Sequence, residues 1–388
     1  KPAKIVLLDN PSFAKAWTGR IQLERGERVT NSFVREDWLF VYTLRGSGAD
    51  GVARLYGVKR KTGEIQIARP IDGGQYRTFP PVLLRDYVAV PTINSVELYS
   101  LATGAFWRSI DVREAIRAEV VGGGTSLFVP VDRPGGAAGL KKYDVLREAT
   151  QIADWDLMTP RGGTVAAPAY YNDSVYLAPT TGEVYALVGL NREPLWPIAG
   201  NRFITQAPVA ASLKADEGGV YVGTVAGKLF ALGPTTGQVR WQYFATAPIE
   251  VTPVVTRDTV YLYDANKGWV AIDKFEPTDA KVPQFTRKER WAKTDIAQIL
   301  GQDDKYTYVL NRSGKLVAID AKTGALRFEA KRTGFYMFAT NPIDGMVYHV
   351  DEDGRLLAIK EVFSPSVYGE EAKLDDAHGP EAVAVAVR

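Results

Sequence analysis

The feature that most constrains this chain is a phrase that recurs along it. It reads GKLFALGPTTGQVRW from Gly227, GKLVAIDAKTGALRF from Gly314, GEVYALVGLNREPLW from Gly182 and GRLLAIKE from Gly354. Fainter copies fill the intervals: ARLYGVKRKTGEIQI from Ala53, VELYSLATGAFW from Val96, GLKKYDVLREATQIADW from Gly139, and GWVAIDKFEP from Gly268, the last followed after an insertion by Trp291. Self-similarity at a period of roughly 40 to 45 residues belongs to arrays in which each unit buries its apolar face on the next.

Each copy alternates apolar and polar residues on either side of a turn, which is the pattern of a half-buried antiparallel hairpin and not of a helix. A second pair of runs precedes most copies: Pro168-Ala169 before Val175-Tyr176, Pro208-Val209 before Val220-Tyr221, Pro253-Val254 before Val260-Tyr261, and Pro342-Ile343 before Val347-Tyr348. The unit therefore has four strands, and eight such units predict an all-β, eight-bladed propeller, with a solenoid as the runner-up. The two ends of the chain favour the ring. The last copy stops at Lys360-Glu361 without a fourth strand, while Ala14 to Leu23 reads as a fourth strand with no first three before it. Pairing them removes the exposed edges of an open stack. The expected organisation is one propeller over residues 14–362, in which 14–24 closes blade 8, followed by a C-terminal tail over 363–388.

Six tryptophans fall at the expected fourth strands: Trp17, Trp107, Trp155, Trp196, Trp241 and Trp291, with Ile67 and Phe328 in the same place in the other two blades. One ring per blade indicates packing between blades rather than stacking on a quinone or sugar. Trp107 follows Gly104 by three residues where Trp241 follows Gly237 by four, so that strand is expected to be shifted or bulged. Trp38 and Trp269 lie outside the series and read as core.

A G-x-[LV]-x-A-[LI]-D strand, then a turn glycine, then an apolar strand with Trp, resembles the tryptophan-docking repeat of the PQQ-like, quinoprotein-type propellers. Enzymes of that family are usually much longer and often cover the quinone with a disulfide of adjacent cysteines beside a calcium site; this chain has no cysteine. Its length and plain repeats are more similar to the BamB-type propeller lipoproteins of the outer-membrane β-barrel assembly machinery. That resemblance implies a non-catalytic scaffold without a cofactor, binding protein partners in the periplasm or cell envelope. The alternatives are a compact PQQ-dependent dehydrogenase and a ligand-sensing propeller. No partner-binding residue is carried over.

The remaining chemistry is sparse. Lys plus Arg is 47 against 45 for Asp plus Glu, a net charge of +2, which gives no field to gather nucleic acid. No run approaches the roughly 18 apolar residues of a membrane span. The opening KPAKIVLLDN has too short an apolar stretch for a secretory signal, so membrane association would require a lipid anchor upstream of Lys1. Two histidines, His349 and His378, are too few for a His-rich metal centre or a triad. The acidic turns Asp351-Glu352-Asp353-Gly354 and Asp264-Ala265-Asn266 sit singly on separate blades and read as hairpin turns. Gly122-Gly123-Gly124, Gly135-Gly136 and Gly162-Gly163 read as blade connections, and Arg287-Lys288-Glu289-Arg290 as a solvated loop. No residue is assigned a catalytic, cofactor-binding or metal-binding role.

Three departures from the repeat are the places to expect function. They are the insertion from Phe275 to Arg290 in the sixth blade, the Pro-Gly loop from Asp132 to Gly139 in the third, and the tail from Phe363 to Arg388, ending AVAVAVR. The tail's alternation predicts that it packs along the propeller or adds as a strand to a partner, the alternative being a disordered terminus.

Overall fold

The computed structural model describes residues 6–133, 135, 137–147, 153–158, 166–276, 285–333 and 337–368. They form eight four-stranded antiparallel sheets arranged as a propeller. Blades 1 to 7 span residues 27–71, 82–111, 121–158, 169–204, 214–244, 254–293 and 296–333. Blade 8 takes three strands from 338–368 and its outer strand, Val6–Arg20, from the start of the chain.

That closing pair is long. Val6–Arg20 runs antiparallel to Arg355–Tyr368 from Val6 opposite Tyr368 to Arg20 opposite Arg355, so the expected pairing of Ala14 onward is present and continues toward both ends. The strand stops at Arg20, short of Leu23.

The core lies between blades. One buried cluster joins Phe40, Tyr42, Leu55 and Ile67 of blade 1 to Val88, Val90 and Tyr99 of blade 2. Another joins Val41 and Val58 of blade 1 to Tyr348, Val350 and Leu356 of blade 8, across the seam of the ring. Alternation along each strand thus feeds two interfaces, one on each face of the sheet.

The outer-strand rings explain the repeated phrase. Trp241 stands opposite Ala231, Trp291 opposite Ala271 and Trp17 opposite Ala358, each beside a one-residue bulge in its own strand. The alanine of the phrase makes room for the ring, and the bulge aims it at the next blade. There the indole N–H finds a backbone carbonyl just past the third strand: Trp17 donates to Arg60 at 2.8 Å, Trp155 to Gly189 at 3.1 Å, Trp196 to Pro234 at 2.8 Å, Trp241 to Lys274 at 3.0 Å and Trp291 to Ala321 at 3.1 Å. At two interfaces a tyrosine of the second strand donates to the same oxygen, Tyr176 to Pro234 and Tyr348 to Arg60. Both lone pairs of that carbonyl are then used.

Two rings depart from the pattern, each for a visible reason. In blade 2 Leu98 fills the space that alanine leaves elsewhere, so Arg108 stands opposite it and Trp107 occupies the bulge itself. Its ring stacks on Tyr87 at 4.1 Å with Arg108 over it at 3.7 Å. Trp196 is not in a fourth strand, contrary to expectation. Pro194 and Pro197 flank it and supply no N–H for a ladder, so the outer strand of blade 4 forms later, at Arg202–Ile204. Trp196 nonetheless docks on blade 5. Trp38 and Trp269 are buried core residues, as expected.

At three docking sites the turn glycine of the next blade forms the floor, Gly63 under Trp17, Gly237 under Trp196 and Gly324 under Trp291. Gly237 has φ +68° and a Cβ there would sit 2.6 Å from the Trp196 ring. Gly237→Ala is expected to cost about 2 kcal/mol, the sum of left-handed strain and overpacking. Chemical denaturation should show a lower midpoint at unchanged slope; an unchanged midpoint would mean that Trp196 has slack.

Candidate functional site

Of the three departures from the repeat, the sixth-blade insertion is the one whose described ends build a surface. Its base is rigid. Lys274, at the end of the third strand of blade 6 (Gly268–Asp273), is buried and holds Asp216 at 2.7 Å and Glu217 at 2.9 Å in blade 5, besides the carbonyls of Thr256 and Arg257. Its own carbonyl accepts the Trp241 indole. Every donor of this buried ammonium is engaged, so the next residue, Phe275, leaves the ring from a fixed point, with its side chain 47% exposed.

The returning end of the insertion crosses to the neighbouring blade. Gln242, in the outer strand of blade 5 (Val239–Phe244), donates its N–H to Phe285 at 2.7 Å, and the Arg287 N–H donates to Gln242 at 2.8 Å, a parallel bridge along an otherwise free edge. Phe285 is left 62% exposed, and Phe244, two residues beyond Gln242, 47% exposed. Leu190 and Ile204 on blade 4 are exposed as well. Exposed large apolar side chains on consecutive blades, with Lys228 over the Phe244 ring, have the composition of a protein-docking surface.

The run Arg287-Lys288-Glu289-Arg290 is not the solvated loop its charges suggested. Arg287 is buried, Glu289 receives Lys267 at 2.6 Å and the Tyr243 hydroxyl at 3.0 Å, and Arg290 pairs with Asp273. The fourth strand of blade 6 already begins at Glu289, so the insertion ends at Lys288. Ion pairs across the strands of blade 6 and hydrogen bonds to blade 5, invisible in the local sequence, draw these charges inward.

In blade 3 the Pro-Gly loop tips a hairpin of Ser126–Arg133 and Ala137–Asp144. Arg133 reaches Glu114 and Asp156, and Lys141 holds Glu114 at 2.5 Å, which fixes the root of the hairpin. Of the tail, Phe363 to Tyr368 extend the third strand of blade 8, Arg355–Tyr368, against which the N-terminal strand pairs, and 369–388, with His378 and AVAVAVR, lie outside the described residues. Gly162-Gly163 and Gly136 do too. Gly122 and Gly123 belong to the innermost strand of blade 3, with Gly124 in its turn, so the first two are strand rather than connection.

The acidic turns are turns, one with an added duty. Asp264 is fully buried and accepts hydrogen bonds from the Thr246 N–H at 2.6 Å and hydroxyl at 2.8 Å, and from the Asn266 and Lys267 N–H groups. It thereby ties the second turn of blade 6 to the loop leaving blade 5. Burial pushes its carboxyl up, but these donors outweigh burial and hold it below the usual range. His349 lies buried in the strand Val347–Val350 with Phe338 against its ring, a packing role. Among the described residues no group of three or more His, Asp or Glu could hold a metal ion, and no helix is long and apolar enough to cross a membrane.

A cavity of about 640 Å³ between blades 1 and 2 was not legible in the sequence. Glu97 lies buried in its wall against the Tyr99 hydroxyl, which also donates to Pro70 at 2.7 Å. Burial pushes the Glu97 carboxyl up.

Comparison with known proteins places this architecture. A family profile described as outer membrane protein assembly factor BamB matches residues 94–297 and 276–362, together well over half of the chain. In fold, the chain is similar to the crystal structure of BamB from Moraxella catarrhalis, at 15% identity, with 90% of this chain and 98% of that one covered and a TM-score of 0.62. It is also similar to the computationally designed Ika8 protein, at 14% identity, with 86% and 96% covered and a TM-score of 0.55. No curated protein matches it by sequence.

Proposed function

This chain belongs to the family described as outer membrane protein assembly factor BamB, and from that premise we propose that it is a non-catalytic scaffold of the cell envelope that docks protein partners on the rim of its ring. The observation that carries the reading is the surface on blades 5 and 6, where Phe244 and Phe285 stand exposed on a parallel bridge between two blades. Aromatic anchors on a rigid support lose little entropy on binding, and such residues dominate interface energies. The partner is a protein of the outer-membrane assembly process, with the chain held on the periplasmic side of that membrane.

Phe244→Ser combined with Phe285→Ser is expected to weaken capture of envelope partners at least ten-fold while leaving thermal unfolding unchanged, since both side chains already lie in water. Cross-linking and affinity capture with the intact chain from envelope extract reads the first, and scanning calorimetry the second. Equal capture by both proteins rejects the surface. Stoichiometric binding of PQQ by the intact chain, with dye reduction by an alcohol or sugar, rejects the scaffold reading itself.

A further inference from the structure

The innermost strands of blades 1 to 5 enclose a cavity of about 270 Å³ in the central channel. Three charged side chains converge on it from separate blades: Arg35 at the end of Glu27–Arg35, Glu119 just ahead of Val121–Gly123, and Lys214 at the start of Lys214–Asp216. The Arg35 guanidinium is fixed by its own rim, donating through Nε to Pro81 at 3.2 Å and through Nη1 to Val34 at 3.0 Å. Its Nη2 has no protein acceptor among the described residues. Lys214 Nζ has no hydrogen-bond acceptor and no carboxylate within 4.0 Å among the described residues.

Confinement in the ring acts on both cations. Burial pushes Arg35 and Lys214 down from their ordinary values, against the pull of Glu119, which is close enough to act on each through its field yet touches neither. Glu36 also lines the cavity but stands exposed at its rim. Two half-buried cations facing one half-buried carboxylate, with Glu36 out at the rim, leave a positive charge unpaired inside the cavity. Elsewhere in this ring such charges are closed directly, as Lys274 is by Asp216 and Glu217.

We propose that this channel cavity binds a small carboxylate or phosphate anion, held by Arg35 Nη2 and Lys214 Nζ and oriented by Glu119. Its volume falls just under the roughly 300 Å³ at which ordinary ligand pockets begin, so the occupant has few heavy atoms. A planar guanidinium with one free edge suits a carboxylate or phosphate oxygen, and the lysine adds a mobile second charge. The aromatic docking surface lies elsewhere, on the outer rim, so loss of one activity leaves the other readable.

The test uses the intact chain in chloride buffer at fixed ionic strength, with inorganic phosphate in one arm and malonate in the other, read by melting temperature and titration calorimetry. The expected result is a saturable rise in melting temperature in at least one arm, growing with ligand concentration as mass action requires, and the stronger arm identifies the source of the anion. Lys214→Met and Arg35→Met should each weaken binding at least ten-fold. Lys214→Met removes an unpaired cation, so in chloride alone it should melt at or above the wild-type temperature, which shows that it folds. Phe106→Ser, on the outer edge of blade 2, should bind as the wild type does. The proposal is overturned by the absence of a saturable response in both arms, by an equal response in Lys214→Met, or by reproduction of the response with chloride at matched ionic strength.

Discussion

Trp17→Ala is expected to destabilise the whole ring by about 3 to 5 kcal/mol, the range for removing a large packed ring and leaving its cavity. Trp17 is the contact between the first residues of the chain and blade 1 across the seam. Its ring packs on Gly63, where an added Cβ would lie 2.6 Å away, and its indole shares the Arg60 carbonyl with Tyr348. The Arg60 guanidinium, itself buried, reaches back to Asp344 of blade 8 at 2.6 Å. The substitution therefore removes apolar packing and loosens the hold of the buried Arg60 on the half-exposed Asp344 at the same place. Deleting residues 1–24 goes further, because it exposes the whole edge of Arg355–Tyr368. The expected readout is a broad, lowered thermal transition with binding of a hydrophobic dye. Thermal unfolding indistinguishable from wild type after the deletion would show that the last and first blades meet without the N-terminal strand.

The second large effect is at Asp264. Asp264→Ala should cost about 2 to 3 kcal/mol, because it removes at once the acceptor of several part-buried donors on Thr246, Asn266 and Lys267, each worth roughly 1 kcal/mol. Its pH dependence has a definite sign. The carboxyl is held below its unfolded value of about 3.9, so its contribution is complete above that pH and is lost as pH falls through the lower folded value. Asp264→Asn, which has no proton to take up there, should lose less stability between neutral pH and pH 3 than the wild type does. Parallel acid-unfolding curves for the two proteins would show that the charge contributes nothing.

The repeat was legible because its signals are local: strand alternation, a turn glycine, and an aromatic ring four residues later. Even the irregular Trp107 announced itself, by its spacing from Gly104. Trp196 was placed in the wrong element for an equally local reason. Its distance from the turn is preserved, since Arg192 takes the left-handed position at φ 64° that glycine fills elsewhere, but Pro194 and Pro197 bar it from the ladder. The rest could not be read from neighbours along the chain. Arg35, Glu119 and Lys214 share a cavity only because the ring brings together positions 84 and 95 residues apart along the chain, and Arg287 is buried beside a bridge to Gln242.

The joining of Val6–Arg20 to Arg355–Tyr368 also sets a clock. Arg20 leaves the ribosome 335 residues before the partner residue Arg355 is made. At the usual elongation rate of about 5 to 20 residues per second, that strand waits on the order of half a minute with its hydrogen-bonding edge unsatisfied. Throughout that interval the growing arc of blades presents open edges at both ends, the state in which a nascent β protein aggregates most readily. Efficient production of this ring therefore depends on something that shields an unpaired strand for tens of seconds, and slowing translation should lower its soluble yield in proportion to the wait.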